Sequence, residues 1–143
     1  LPGTGKDTHI KKFFKEDDYV LVSRDEIRIE LGYCAEGEKY LGTDKEEKEV
    51  SRVFNEKLLK AAVDGKTVVI NNTNLKKKYR DAYKDLLKGY NMIWHYVYVE
   101  ADSLEKNIER RKGQINPSVF SSMMDTMNFP HKDEYDTLRL VQT

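Results

Sequence analysis

The first eight residues combine glycines, a lysine and small polar side chains at a spacing suited to binding phosphate. Their sequence, L-P-G-T-G-K-D-T, matches the end of a G-x-x-x-x-G-K-[ST] loop whose first glycine would precede residue 1. The glycines allow successive backbone N–H groups to turn towards one anion, and the lysine can reach the β- and γ-phosphates. The segment therefore predicts a nucleotide site, ahead of a helix, formed by Gly3, Thr4, Gly5, Lys6, Asp7 and Thr8.

Asp7 stands where such loops usually carry a Ser or Thr whose hydroxyl ligates Mg²⁺. A second carboxylate often ends a neighbouring strand, but here that segment contains Asn71 and Asn72. We expect Asp7 to contact the metal, directly or through water, and to supply the charge that the strand lacks. Alternatively, Asp7 favours the helix dipole and Thr8 or water serves the metal.

Asp25 and Arg28 follow a predicted buried strand at residues 19–22. Ligands of open α/β sheets bind at the carboxyl ends of the strands, where Asp25 could accept a proton from an attacking hydroxyl. Arg28 lies about one helical turn further along and could hold an anionic substrate. The alternative is an exposed helix start that carries an ordinary ion pair.

Two further groups of polar residues are candidates for the same site. A predicted strand at 67–70 ends in N-N-T-N, so Thr73 and Asn74 could bind substrate, although the same residues also cap helices. Arg110 and Arg111 end a helix predicted to begin after Ser103. Either arginine could clamp a transferred phosphoryl group, or both could complement the helix dipole.

The apolar periodicity predicts an α/β fold in which helices cover a parallel sheet, with 1–143 as a single domain that starts inside the phosphate loop. Strands are predicted at 19–22, 67–70, 92–99 and 137–141. Helices are predicted at 6–16, from the cap at Thr43 to 64, at 75–88 with Tyr79 and Ala82 on its buried face, at 103–112, and from Pro117 onward.

The composition narrows the possible classes of protein and partner. Lys plus Arg and Asp plus Glu each number 25 in 143 residues, so no overall basic field indicates nucleic acid. The single cysteine, Cys34, excludes an internal disulfide and fits a reducing, cytoplasmic setting. No apolar run approaches the roughly 20 residues that span a bilayer, so we expect no membrane partner. The oligomeric state stays open.

Four segments together resemble, in order and spacing, the P-loop kinases related to the bacteriophage-type polynucleotide 5′-hydroxyl kinase and their bacterial and phage AAA-type ATPase relatives. They are L-P-G-T-G-K at 1–6, S-R-D-E-I-R at 23–28, N-N-T-N-L at 71–75 and R-R-K-G-Q-I-N-P at 110–117. The resemblance implies five parallel strands, with the central strand before the phosphate loop, and a helical lid that carries an arginine.

The same resemblance implies a role for each matching residue. Lys6 would bind the phosphates of ATP, Asp25 would be the general base, and Arg28 would hold a substrate phosphate. Thr73 would help to position the site, and Arg110 or Arg111 would stabilise the transferred group. The implied acceptor is the 5′-hydroxyl end of RNA or DNA. The alternatives are a small-molecule or nucleotide kinase, and a nucleotide-binding regulatory module without transfer activity.

Overall fold

The computed structural model describes residues 1–112 and 115–143, so Gly113 and Gln114 of the 110–117 segment lie outside the described residues. In chain order the elements are α1 (Lys6–Phe13), a 3₁₀ turn (Glu16–Asp18), β1 (Val20–Val22), α2 (Arg24–Glu30), α3 (Asp44–Val63), β2 (Val68–Ile70), α4 (Lys77–Leu86), β3 (His95–Glu100), α5 (Leu104–Arg110), α6 (Pro117–Asp125), a 3₁₀ turn (Lys132–Glu134) and β4 (Thr137–Gln142). This order confirms the predicted α/β class.

The chain forms two compact units. The loop unit comprises residues 1–10 and 73–143, and the middle unit comprises residues 11–72. In the middle unit β1 pairs with β2 in parallel, with Val20 opposite Val68. In the loop unit β3 pairs with β4, also in parallel, with His95 opposite Thr137. The four strands of the described residues thus form two parallel pairs.

Helix α3 organises the core of the middle unit. Its start is the predicted capping box, in which Thr43 accepts the Glu46 N–H and Glu46 accepts the Thr43 N–H. One face of α3, which packs against α2, β1 and β2, buries Val50, Phe54, Leu58 and Ala61. Burying a side chain of the size of Phe54 or Leu58 contributes roughly 1.5–3 kcal/mol, so this face holds the unit together.

Helix α4 differs from its predicted form. It is shorter at both ends than the predicted 75–88, and Tyr79 and Ala82, predicted to be buried, are exposed. The buried residues are Arg80, within the helix, and Leu87 at its end. Arg80 is buried because it forms an ion pair with Glu134, a residue 54 positions away in the sequence. Sequence periodicity cannot register such a pair, and the predicted buried face was therefore wrong.

The predicted cap at Ser103 and the predicted helix start at Pro117 are confirmed, and the structure adds Asn116 as a cap. Ser103 accepts the Lys106 N–H at the start of α5, and Asn116 accepts the Ser118 N–H at the start of α6, where Pro117 takes the first helical position. Within the described ranges, no helix is long and apolar enough to cross a bilayer.

Candidate functional site

The phosphate loop adopts a conformation that requires its glycines. Gly3 has φ +75° and Gly5 has φ +94°, in the left-handed region where a side chain is strained. A Cβ atom at Gly3 would also lie only 2.7 Å from the carbonyl oxygen of Asn107. Helix α1 begins at Lys6, directly after the loop. The predicted glycine loop directly ahead of a helix N-terminus is therefore present, and this arrangement suits anion binding.

A pocket of about 150 Å³ lies at the start of α1. Its lining contains seven of the predicted site residues: Gly3, Gly5, Lys6, Asp7, Thr8, Arg110 and Arg111. Pockets for whole drug-sized ligands occupy roughly 300–1,000 Å³, so this one suits phosphate groups and leaves a base and ribose outside. Lys6 donates from Nζ to the carbonyl oxygen of Leu1 at 3.1 Å, within the same loop.

Thr4 and Asp7 differ in what they can offer a ligand. The Thr4 side chain is buried and donates to the carbonyl oxygen of Leu1 at 3.0 Å, so it shapes the loop and leaves only its backbone for phosphate. Asp7 and Thr8 are exposed in the first turn of α1. Within the described residues no three His, Cys, Asp or Glu side chains cluster as a metal site. Mg²⁺ bound with substrate phosphates needs only one or two protein carboxylates, so Asp7 fits such an ion.

Arg110 joins the end of α5 to the phosphate loop. Its Nη1 donates to the carbonyl oxygen of Gly3 at 2.9 Å and to the Thr143 hydroxyl at 3.0 Å, while Nη2 donates to the Thr143 carbonyl oxygen at 3.1 Å. Thr143 in turn donates to the carbonyl oxygen of Thr4 at 2.7 Å. Arg111 follows as the C-cap of α5. The predicted pair of arginines thus lies at the phosphate pocket, with Arg110 fixed to the backbone that forms it.

The two residues predicted to bind substrate after β2 have different surroundings. Thr73 is exposed. Asn74 has φ +48°, and its side-chain oxygen accepts from the Tyr83 hydroxyl at 2.9 Å. Its carbonyl oxygen accepts from Arg80 Nη1 at 2.9 Å. These contacts explain the unusual backbone of Asn74 and give it a role in the turn before α4; substrate binding by Thr73 and Asn74 stays a prediction.

In the middle unit, Asp25 and Arg28 point to the same side of α2, as their spacing predicts. Arg28 Nη1 donates to Asp25 Oδ1 at 2.7 Å. The Asp25 side chain is 84% exposed, whereas that of Arg28 is 18% exposed. An exposed carboxylate that accepts one guanidinium N–H can also accept a proton from a bound hydroxyl.

Glu47 belongs to the same cluster and was missed from the sequence. Its Oε1 accepts from Arg28 Nε at 3.0 Å, and its Oε2 accepts from Arg28 Nη2 at 3.2 Å and from Arg24 Nη2 at 2.8 Å. Burial alone would raise the pKa of Glu47, but the hydrogen bonds and charges of Arg28 and Arg24 lower it from 4.5 to about 2. Glu47 lies in the first turn of α3, next to the capping residue Glu46, so only the tertiary structure brings it to α2.

Arg24 and Tyr40 complete the α2 cluster, which we define as Arg24, Asp25, Arg28, Tyr40 and Glu47. The backbone N–H of Arg24 donates to Asn72 Oδ1 at 3.0 Å, so the asparagine in place of a strand-end aspartate caps α2. The Arg28 guanidinium carbon lies 4.7 Å from the centre of the Tyr40 ring. Burial and the neighbouring Glu47 raise the pKa of Tyr40 to about 12.

Comparison with known proteins agrees with this structure. Residues 1–130 match the family described as AAA domain. A solved gluconokinase from Sinorhizobium meliloti 1021 superposes with a TM-score of 0.60 and 16% sequence identity, over 99% of this chain and 78% of that one. No curated protein matches the chain significantly. The chain therefore belongs to the AAA domain family, and its fold is that of a P-loop NTPase of the kinase type.

Proposed function

We propose that this protein transfers the γ-phosphoryl group of ATP to a hydroxyl group, with the 5′-hydroxyl end of RNA or DNA as the first candidate acceptor. The observation that carries the proposal is the phosphate pocket, where the Gly3–Gly5 loop, Lys6 and two arginines converge. Such a combination of backbone donors and cations suits phosphoryl transfer, which depends mainly on positioning and on stabilising negative charge.

The proposed step assigns one task to each group. The acceptor oxygen forms a bond to the γ-phosphorus while the bond from that phosphorus to the β–γ bridging oxygen breaks, and ADP leaves. Asp25 takes the proton of the acceptor hydroxyl. Lys6 and the arginines at the end of α5 neutralise charge on the transferred group. Asp7 would hold Mg²⁺, directly or through water, and the ion would supply positive charge that offsets the negative charge of the phosphates.

The acceptor has two candidate classes. The four-segment resemblance supports a polynucleotide end, with Arg28 holding a phosphate of the acceptor. The fold match with a gluconokinase supports a small-molecule acceptor instead. Arg24 and Arg28 against Asp25 and Glu47 give the α2 cluster no net charge, which is compatible with either class and does not require a polyanion.

The direct test is turnover of γ-labelled ATP against 5′-hydroxyl RNA, 5′-hydroxyl DNA, nucleosides and sugar acids. We expect label transfer to one acceptor class and none by the Lys6→Ala variant. Transfer to small molecules alone would replace the polynucleotide assignment. ATP binding without transfer to any acceptor would instead support a regulatory module, and Lys6→Ala turnover equal to wild type would contradict the nucleotide site.

The charge at Asp7 gives a separate prediction about the metal. Without Mg²⁺, the Asp7 carboxylate beside a triphosphate is repulsive by on the order of 4 kcal/mol at about 4 Å and an effective dielectric near 20. We therefore expect Asp7→Ala to weaken Mg²⁺–ATP binding and to strengthen binding of metal-free ATP, as measured by calorimetry. Thr8→Ala, in the same turn, tests the alternative, because weaker Mg²⁺–ATP binding in Thr8→Ala but not in Asp7→Ala would indicate that Thr8 serves the metal. Equal or tighter ATP binding by Asp7→Ala, with and without Mg²⁺, would instead indicate that Thr8 or water ligates the metal.

A further inference from the structure

Arg28 is held on one edge and available on the other. A guanidinium has five N–H donors. Glu47 accepts from Nε and Nη2, and Asp25 accepts from Nη1, so the contacts in the described part of the chain leave one N–H on each terminal nitrogen. The carboxylate of Glu47 thus occupies the Nε–Nη2 edge of the guanidinium and fixes that edge against α3.

A second contact fixes the plane of the same guanidinium. The Tyr40 ring lies 4.7 Å from the Arg28 guanidinium carbon, a distance at which the cation and the aromatic face attract each other. Gly42 permits this arrangement, because a Cβ atom at Gly42 would overlap the Tyr40 hydroxyl. The residue two positions along the loop therefore decides whether the ring can lie over Arg28.

Glu47 also holds the second arginine of α2. Its Oε2 accepts from Arg24 Nη2, which donates in addition to the Ser51 hydroxyl at 3.1 Å. One carboxylate shared by two guanidiniums leaves a net charge of +1 on these three side chains. Asp25 brings the net charge of the α2 cluster to zero, so an anionic group on the ligand would be bound by the remaining N–H donors of Arg28 and not by a net positive charge.

We propose that Glu47 and Tyr40 are positioning residues that orient Arg28, so that its two remaining N–H groups receive an anionic group of the acceptor next to the hydroxyl deprotonated by Asp25. This role presupposes the phosphoryl transfer proposed above. It predicts an acceptor that carries a phosphate or carboxylate near the reacting hydroxyl. Glu47 and Tyr40 act through Arg28 and need not touch the acceptor.

The kinetic test compares Glu47→Gln with Glu49→Gln, a matched control on the same helix. Glu49 also accepts from Nε and Nη2 of an arginine, Arg52, and its side chain is 37% exposed against 34% for Glu47. We expect Glu47→Gln to raise the acceptor KM about tenfold with the ATP KM unchanged. Glu49→Gln should change neither constant. Equal acceptor KM values for the two variants would overturn the positioning role.

Two further variants separate orientation from simple loss of charge. In a double-mutant cycle, Glu47→Gln should add little to Arg28→Lys, because both act on the same contact with the acceptor. Gly42→Ala should reproduce part of the KM increase by displacing Tyr40, with Gly37→Ala in the same loop as a control for loop strain. Additive effects of Glu47→Gln and Arg28→Lys would contradict action through Arg28.

An NMR measurement tests the contact between Glu47 and Arg28 even if no acceptor is phosphorylated. The Nε–Hε resonance of Arg28, assigned by its loss in Arg28→Lys, should show slow solvent exchange in the wild type. Glu47→Gln should accelerate that exchange and Glu49→Gln should not. Unchanged exchange in Glu47→Gln would overturn the positioning role, whereas absence of label transfer with the expected NMR change would defeat only the proposed function.

Discussion

Two arginine–glutamate ion pairs, one in each unit, differ in how deeply they are buried and in how many hydrogen bonds the arginine makes. In the loop unit, Arg80 and Glu134 are 6% and 5% exposed, and Arg80 makes four hydrogen bonds, two to the Glu134 carboxylate and two to the carbonyl oxygens of Asn74 and Leu75. In the middle unit, Arg28 and Glu47 are 18% and 34% exposed, and Arg28 makes three.

This difference separates an arginine used by the fold from one available to a ligand. Glu134 accepts the backbone N–H of His131 at 2.6 Å as well, and its carbonyl oxygen accepts from Lys84, so the buried pair joins α4 to the segment before β4. Burial alone would raise the pKa of Glu134, but Arg80 and the His131 N–H lower it. The partly exposed Arg28–Glu47 pair joins α2 to α3 and leaves N–H donors of Arg28 available to a ligand.

The largest expected effect comes from breaking the buried pair. Glu134→Gln keeps the shape but leaves the Arg80 charge uncompensated in the interior, which typically costs about 3–5 kcal/mol. Urea unfolding should show this loss, and Glu49→Gln, in an exposed pair, should change the free energy of unfolding by less than about 1 kcal/mol. A loss as small as that of the control would mean that the buried pair does not hold the fold.

An identical substitution in both pairs sharpens the comparison. Lysine keeps the charge but cannot make the two-pronged contact with a carboxylate. Arg80→Lys should lower the free energy of unfolding by about 2–3 kcal/mol, because buried carbonyl and carboxylate groups lose their donors. Arg28→Lys should change it by less than about 1 kcal/mol and raise the acceptor KM instead. If Arg28→Lys lowered the free energy of unfolding and Arg80→Lys did not, the distinction between the two arginines would be refuted.

The smallest expected effect is the dependence of stability on acid at Glu47. The pKa of this carboxyl falls from 4.5 to about 2 on folding, so its contribution is fully present above pH 4.5 and disappears as the pH falls towards 2. Because the side chain is partly exposed, solvent limits the contribution to about 1 kcal/mol or less. The stability difference between wild type and Glu47→Gln should shrink over that interval, and a constant difference would contradict the prediction.

The sequence predicted those features that depend on local chemistry. The glycines of the phosphate loop, the Thr43–Glu46 capping box and Pro117 each act through residues a few positions away, and the structure contains all of them. The i, i+3 spacing of Asp25 and Arg28 likewise predicted that they lie on the same side of α2, and the ion pair left open as the alternative is present.

Features that depend on distant partners could not be predicted in this way. The Glu47–Arg28 contact spans 19 positions and the Arg80–Glu134 contact spans 54, and neither leaves a periodic signal. Arg80 therefore lies on the face of α4 where the pattern predicted solvent, and Tyr79 is exposed in its place. Asn72 caps α2 by accepting the Arg24 N–H, a role that its neighbours in the sequence do not indicate.

The most direct test of phosphoryl transfer by this chain is the single-turnover rate of Asp25→Asn at saturating ATP. Removing a general base typically lowers the rate about 10²–10⁴-fold, and the substitution keeps the shape of the side chain. We expect that loss with ATP affinity and unfolding free energy unchanged, while Glu26→Gln, one residue along α2, retains its rate. A full rate in Asp25→Asn, accompanied by altered stability, would show that Asp25 is only a member of an ion pair and would contradict the proposed mechanism.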